Sequence, residues 1–490
     1  MPSLICFASL SKLLLTASCI KSAIADLGVV NIDNLLHTKD QPVYTAFNDG
    51  NSDNASENPP WSHEPHCIPS TSLSSVGKKY CVYTSNLTGP TGISLIMPPK
   101  IARQAASLLD DNPLDSFLTP VQARGVHSGN PPYKMKKVEG KGMGVVATRR
   151  IRKWETVMVD QASVVVDLSI VKGVSREEGR RLLALAVRRL RRPGEVWGLS
   201  GKHDAEGRGE DGEGNEVVDN GKEERQELRR RSGYETKSGD GEEMEGKLED
   251  DIMLTNGFGS EIAGTKCRAL YPLISRINHE CNPNAFVLFS RAGISMAVKA
   301  YRDIEEGEEL SISYITLGQP FQHRHRALSR WGFACHCSLC SLPNPQKAAS
   351  DTRRSLIARS TKKITELWES AQPMEAISLA EESIEMIQDE GLEHLLADEY
   401  ALLAKLWLMV GKAREQTMKK GRGGKEKGKG RQVGIIEREE ADRYARMSWE
   451  LLGEMGFMGY DWKETMEFKL EAFLAMVGEG MREVVTAPKL

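Results

Sequence analysis

The chain is short of several things that would announce a class of protein. Aromatic residues make up only 6% of its 490 positions. Its most apolar stretch, near the N-terminus, is too polar for a membrane span. A dominant charge of one sign is missing too. The 65 basic and 68 acidic residues leave a formal charge of −3, which excludes a general polyanion-binding surface and confines any nucleic-acid contact to a local patch. The Gly-x-Gly at Gly142 and Gly144 lacks the third glycine and following helix of a dinucleotide fingerprint. No cysteine falls between positions 195 and 250. What remains, 40% hydrophobic and 27% charged, describes a soluble globular chain of two to four domains with solvated insertions.

What is present is unevenly spread. "LICFASLSKLLLTASCIKSAIA" has the length of a signal peptide and ends in a small-x-small pattern, Ala23-Ile24-Ala25. A signal over 1–25 is therefore expected, with an apolar tail as the alternative, because Lys12 interrupts the run and nothing before it is basic. If it is a signal, Cys67 and Cys81 can pair, and Asn54 and Asn86 stand in N-x-S/T acceptor sequences. Residues 26–60 read as a linker and 61–131 as a small module containing the strand-like "GISLIMPP".

From position 138, "VEGKGMGVVATRRIRKWETVMVD" predicts two or three strands. Residues 175–190 predict a helix capped by Ser175 with Glu178 three residues on. The Gly-rich, mixed-charge run over 195–250 predicts a disordered insertion. Strands and loops then alternate from about Asp251 to Tyr314. After 350, apolar steps of three and four predict a helical-hairpin, TPR-like domain to 490. The basic, glycine-rich 419–431 reads as a solvated loop in preference to a polyanion patch.

The chemistry concentrates in the middle. "SRINHECNPNAF" (275–286) packs amides, a histidine, a glutamate and Cys281 into a loop beside a proline, after an apolar run. "GEELSISY" ends at Tyr314, and "CHCSLC" places Cys335, Cys337 and Cys340 at a spacing suited to a metal, with disulfides or buried thiols as alternatives. Cys267 reads as a buried thiol.

Taken in order, "GKGMGVVA", "LYPLISRINHECNPNA", "AYRDIEEGEELSISY" and "WGFACHCSLC" resemble the SET-domain protein lysine methyltransferases. They are most similar to the split-SET, SMYD-like fungal branch. The cysteine-free insertion excludes its MYND zinc module there. The resemblance implies an α+β fold: a SET domain over 132–341 with a pseudo-knot and a zinc-bound post-SET segment, then an all-α domain over 350–490. It implies methyl transfer from S-adenosylmethionine (AdoMet) to a protein lysine, with Tyr314 catalytic. Lys141, Gly142, Met143, Asn256, Asn278, His279, Tyr314 and Phe333 would hold the cofactor, and Asn284 would tie the loop to its neighbours. Cys281 would join Cys335, Cys337 and Cys340 around a structural zinc.

The implied partner is a protein with a target lysine, histone or not, without direct nucleic-acid binding and without a membrane. SET chemistry implies nucleus or cytoplasm, against the secretory look of residues 1–25. Three positions depart from the pattern: Glu280 replaces a small residue, Met143 a polar one, and Trp331 is the aromatic before the cysteine tail. A silent SET scaffold that binds a partner through its helical region is the alternative function, and a secreted protein of unassigned role is a third.

Overall fold

A computed structural model describes residues 60–71, 77–109, 118, 130–200, 246–289, 294–421, 434–458, 461–475 and 477. The signal-peptide and linker readings fall outside these residues, as do most of the charged insertion and most of the basic glycine-rich loop.

Thirteen strands among the described residues form three sheets. They are β1 His66–Pro69, β2 Lys79–Ser85, β3 Ile93–Met97, β4 Tyr133–Val138, β5 Gly142–Ala147, β6 Thr156–Gln161 and β7 Val164–Asp167. The rest are β8 Phe258–Ile262, β9 Thr265–Leu270, β10 Asn278–His279, β11 Ala285–Phe289, β12 Ser295–Ala300 and β13 Glu309–Ile312. The orders are β1-β2-β3-β7-β9-β8, β10-β13-β5-β4 and β11-β12-β6.

The first sheet corrects one expectation. Residues 61–97 do not stand apart as a module, because β3 pairs in parallel with β7, Ser94 opposite Val164. At its centre, β3 buries both faces, in keeping with its nearly unbroken apolar run. Cys81, Leu95 and Val165 enter the core shared with the other sheets. Their neighbours Tyr80, Val82, Ile96 and Val164 point the other way, onto Leu182, Leu183 and Val187 of the helix Arg176–Arg188. That helix starts with the expected capping box: Ser175 Oγ accepts from Glu178 N–H, and the Glu178 carboxylate accepts from Ser175 N–H.

The insertion is narrower than 195–250. Pro193–Trp197 and Lys247–Asn256 are helices at its two ends. They are held by burial of Trp197, whose indole donates to the buried Glu249 carboxylate (3.1 Å).

Beyond 343 the helices Asn344–Glu369, Pro373–Asp389, Leu396–Gly421 and Ile435–Met455 follow one another, each packed on the next around one apolar core. Trp154, Phe286 and Tyr301 of the β region pack against this core, and Tyr301 meets His394 with ring centres 6.1 Å apart. No helix among the described residues is long and apolar enough to cross a membrane.

Candidate functional site

The site begins with a buried carboxylate. At the end of β6, Asp160 accepts the backbone N–H groups of Leu273 (2.7 Å) and Ile274 (3.1 Å). Those donors open the short turn Ile274–Arg276, so Asp160 fixes where the polar loop starts. Burial pushes its carboxyl up to about 6, although these hydrogen bonds pull the other way.

The turn delivers Asn278 and His279 into β10, which runs parallel to β13 with Asn278 opposite Ser311 and His279 opposite Ile312. Asn284 then reads the β13 backbone as a strand would. Its Oδ1 accepts from Ser311 N–H, and its Nδ2 donates to the Glu309 carbonyl, both at 2.8 Å. Short amides suit this loop because they replace backbone partners that a two-residue strand cannot supply.

Tyr314, two residues past β13, donates its N–H to His279 Nδ1 (3.0 Å). A backbone N–H can only donate, so Nδ1 is the acceptor and a neutral ring carries its proton on Nε2. That nitrogen faces Cys281 Sγ at 3.3 Å. Burial pushes the His279 pKa down to about 4, so the ring is neutral at pH 7. The Tyr314 hydroxyl donates to the Ile277 carbonyl (2.7 Å), and burial pushes its phenol upward.

On the other side lies the turn Lys141–Met143. Gly142 has φ +77°, a left-handed conformation that favours glycine. Gly144 is needed for space: a Cβ there would stand 2.8 Å from Asn278 Nδ2 and 2.9 Å from Glu309 Oε1. Asn278 Nδ2 donates to Glu309 Oε1 (2.8 Å) and to the Met143 carbonyl (3.3 Å). Lys141 donates to Glu309 Oε2 (2.7 Å).

Lys141, Gly142, Met143, Asn278, His279 and Tyr314 therefore come together. Phe333 joins them with its ring 6.2 Å from His279. Met143 and Phe333 stay 46% and 40% exposed, leaving two large apolar groups at the rim of a polar site. Asn256 is linked less directly. Its Nδ2 turns back to Ile252 O (3.2 Å) and Thr255 Oγ1 (2.9 Å), while Trp331 donates to the neighbouring Thr255 carbonyl and lies 5.4 Å from the Tyr314 ring.

Glu280 fits despite being larger than the pattern asks. Burial pushes its carboxyl up, but Ser311 Oγ (3.4 Å) and Lys141 (3.9 Å) partner it. The sequence reading missed Glu309, which unites Lys141 with Asn278. It also missed Asp160. Acidic residues in "GEEL" and "VMVD" look solvated, and only the fold shows otherwise.

Cys281, Cys335, Cys337 and Cys340 converge, with all four Sγ atoms within 4.8 Å of one another. Cys281 Sγ lies 3.9 Å from Cys335 and 3.6 Å from Cys340, so none of these is a disulfide. A tetrahedron of zinc–thiolate bonds about 2.3 Å long has edges of about 3.8 Å. The cluster is compatible with zinc. Cys267 is a buried free thiol, pushed up to about 12 by burial. Cys67 and Cys81, opposite each other in β1 and β2, are joined as a disulfide.

The segment that builds most of this site, residues 142–315, matches the family model for the SET domain. Its curated relatives are lysine methyltransferases. Over 91 residues the chain is 37% identical to histone-lysine N-methyltransferase set5 of Schizosaccharomyces pombe, covering 18% of this chain and 28% of that protein. Over 72 residues it is 40% identical to human histone-lysine N-methyltransferase SMYD3, covering 14% and 16%. The match thus spans less than a third of either relative's length. A solved SET domain of LSMT, bound to lysine and AdoHcy, aligns over 71% of this chain and 97% of that one, at 14% identity and a TM-score of 0.25.

Proposed function

We propose that the chain is an AdoMet-dependent protein-lysine N-methyltransferase whose acceptor is a histone or another protein. One observation carries the reading. Tyr314 meets the Asn278–His279 pair, through the His279 Nδ1 bond, inside the segment matched as a SET domain. The names of the relatives support it.

Lys141, Gly142, Met143, Asn256, Asn278, His279, Tyr314 and Phe333 would hold the cofactor. Because the Asn278 and His279 side chains are already committed within the protein, these residues would offer mainly backbone groups. When bound, AdoMet supplies a methyl group on a positive sulfonium.

The protein supplies geometry. The Tyr314 proton is donated to Ile277, so its oxygen offers lone pairs to an incoming amine. Burial keeps the phenol un-ionised, so Tyr314 orients the amine and takes no proton from it. The amine must arrive neutral, against a free pKa of about 10.4, and a dry channel favours that form. Holding it at near-attack distance supplies most of the rest.

Zinc fits the four thiols by number and spacing, and would pin the post-SET segment to the loop that carries Asn278 and His279. The helical hairpins beyond 350, read as TPR-like, would wall the same region. Methyl-labelled AdoMet incubated with the protein, histones and a whole-cell extract tests the reading. Label on lysine in at least one protein is expected, and none at all would overturn it.

A further inference from the structure

Among the described residues, two of the largest fully buried side chains are arginines, Arg324 at 2% exposure and Arg354 at 0%. Buried guanidiniums are rare unless something negative faces them, because an uncompensated charge costs several kcal/mol. The ordinary explanation covers only part of the charge. Arg354 donates to Glu390 (2.7 Å), but Arg353 shares that same carboxylate (2.7 Å). Arg324 reaches Asp351 only at 3.9 Å and spends one N–H on the Gln319 carbonyl (2.6 Å). Three cations thus face two carboxylates. Arg324 Nε and Arg354 Nη1 have no hydrogen-bond partner among the described residues.

For Arg324, the missing negative charge stands beside it. Arg324 Nη2 lies 3.8 Å from Cys340 Sγ. Four thiolates on a divalent cation carry two negative charges in excess, in a site where Cys281, Cys337 and Cys340 are buried. The loop also touches this helical region directly: a Cβ on Gly391 would lie 3.4 Å from the Asn282 side chain.

We propose that Arg324 is a positioning residue for the metal. Its buried guanidinium balances the thiolate cluster from its helical side and sets its affinity for zinc. The inference rests on the zinc reading above and extends it. Donors behind a metal's ligands commonly change affinity by about 10–100-fold. Arg324 belongs to the helix Phe321–Leu328, whose Phe321 N–H donates to Asp351 of the helix Asn344–Glu369 (2.8 Å), so metal occupancy and docking of the helical region become one event.

Zinc affinity of the full chain, measured by competition with a chromophoric chelator, tests this. Arg324→Met should weaken binding about 10–100-fold. Arg324→Lys, which keeps the charge, should recover most of the loss. Arg353→Met, which removes a partly exposed partner of Glu390, should leave affinity unchanged. Cobalt substitution adds a spectroscopic reading that needs no stability comparison: the thiolate-to-metal charge-transfer band should shift in Arg324→Lys, where the N–H···S geometry changes. Equal zinc affinity in wild type and Arg324→Met, or an unmoved cobalt band in Arg324→Lys, would overturn the role of Arg324 alone. A wild type that takes up no zinc would overturn the metal reading and this one with it.

Discussion

Two groups of cysteines in one chain meet opposite fates. Cys67 and Cys81 are 14 residues apart, face each other across an antiparallel strand pair, and are bonded. Cys281 and the 335–340 trio are brought from far apart in sequence into one cluster, and remain thiols. Proximity does not separate the two cases. What separates them is how the backbone presents the sulfurs. Strand register aligns two side chains and no more, whereas a polar loop and a turn-rich tail can aim four at one point. A pair so aligned can settle by oxidation. Four thiols at tetrahedral spacing form a ligand set, and ligands must be reduced. Each group therefore answers to a different reagent.

Metal removal should break the comparison most sharply. Elemental analysis should find about one zinc per chain, as four thiolates around one tetrahedral ion require. Cys281→Ser should lose it. Chelation should loosen the segment around Phe333 before the helical region melts, because the staple is local, and it should leave the Cys67–Cys81 bond intact. Zinc held at full occupancy in Cys281→Ser would show that another group supplies the fourth ligand.

Opening the disulfide is the complementary experiment. A closed loop of roughly 15 residues is worth about 3 kcal/mol in the chain-entropy account. Cys67→Ser should lower unfolding free energy by about that much in a urea titration. Zinc content should not change. A stability loss accompanied by zinc loss would mean that the two sulfur groups are coupled through the first sheet.

The smallest expected effect is a pH dependence at Asp160. Its carboxyl is raised from 3.8 to about 6 by burial, so the folded protein holds a proton that the unfolded chain has released. Stability from this group is therefore present below about pH 4, falls as pH rises from about 4 to 6, and is level above that. Asp160→Asn removes the titration while keeping an oxygen for Leu273 and Ile274. The wild type should lose stability relative to Asp160→Asn across that window, by no more than about 3 kcal/mol. Parallel curves for the two proteins would contradict the assignment.

What the sequence disclosed depended on range. Local patterns were legible: the capping box at Ser175, the strands Gly142–Ala147 and Thr156–Gln161, and the order of Gly142, Asn278, Tyr314 and the cysteine tail. Long-range pairing was not. Nothing in "GISLIMPP" says that Ser94 will lie beside Val164, because parallel pairing leaves no local signature. Trp197 and Glu249 were hidden for another reason, since each sits at the edge of a charged, glycine-rich run that dominates any window containing it. Charged residues were the hardest. Asp160, Glu309, Arg324 and Arg354 look like solvated surface until the fold buries or pairs them.

The central claim is that Tyr314, held by His279 and Ile277, orients a lysine amine for methyl transfer. Tyr314→Phe removes one hydroxyl and keeps the ring. AdoMet affinity by calorimetry and zinc content should then match wild type, while lysine labelling should fall about 10²–10³-fold, the usual cost of one lost polar group at a reacting centre. A Tyr314→Phe protein that binds AdoMet normally and labels lysine at the wild-type rate would contradict the account.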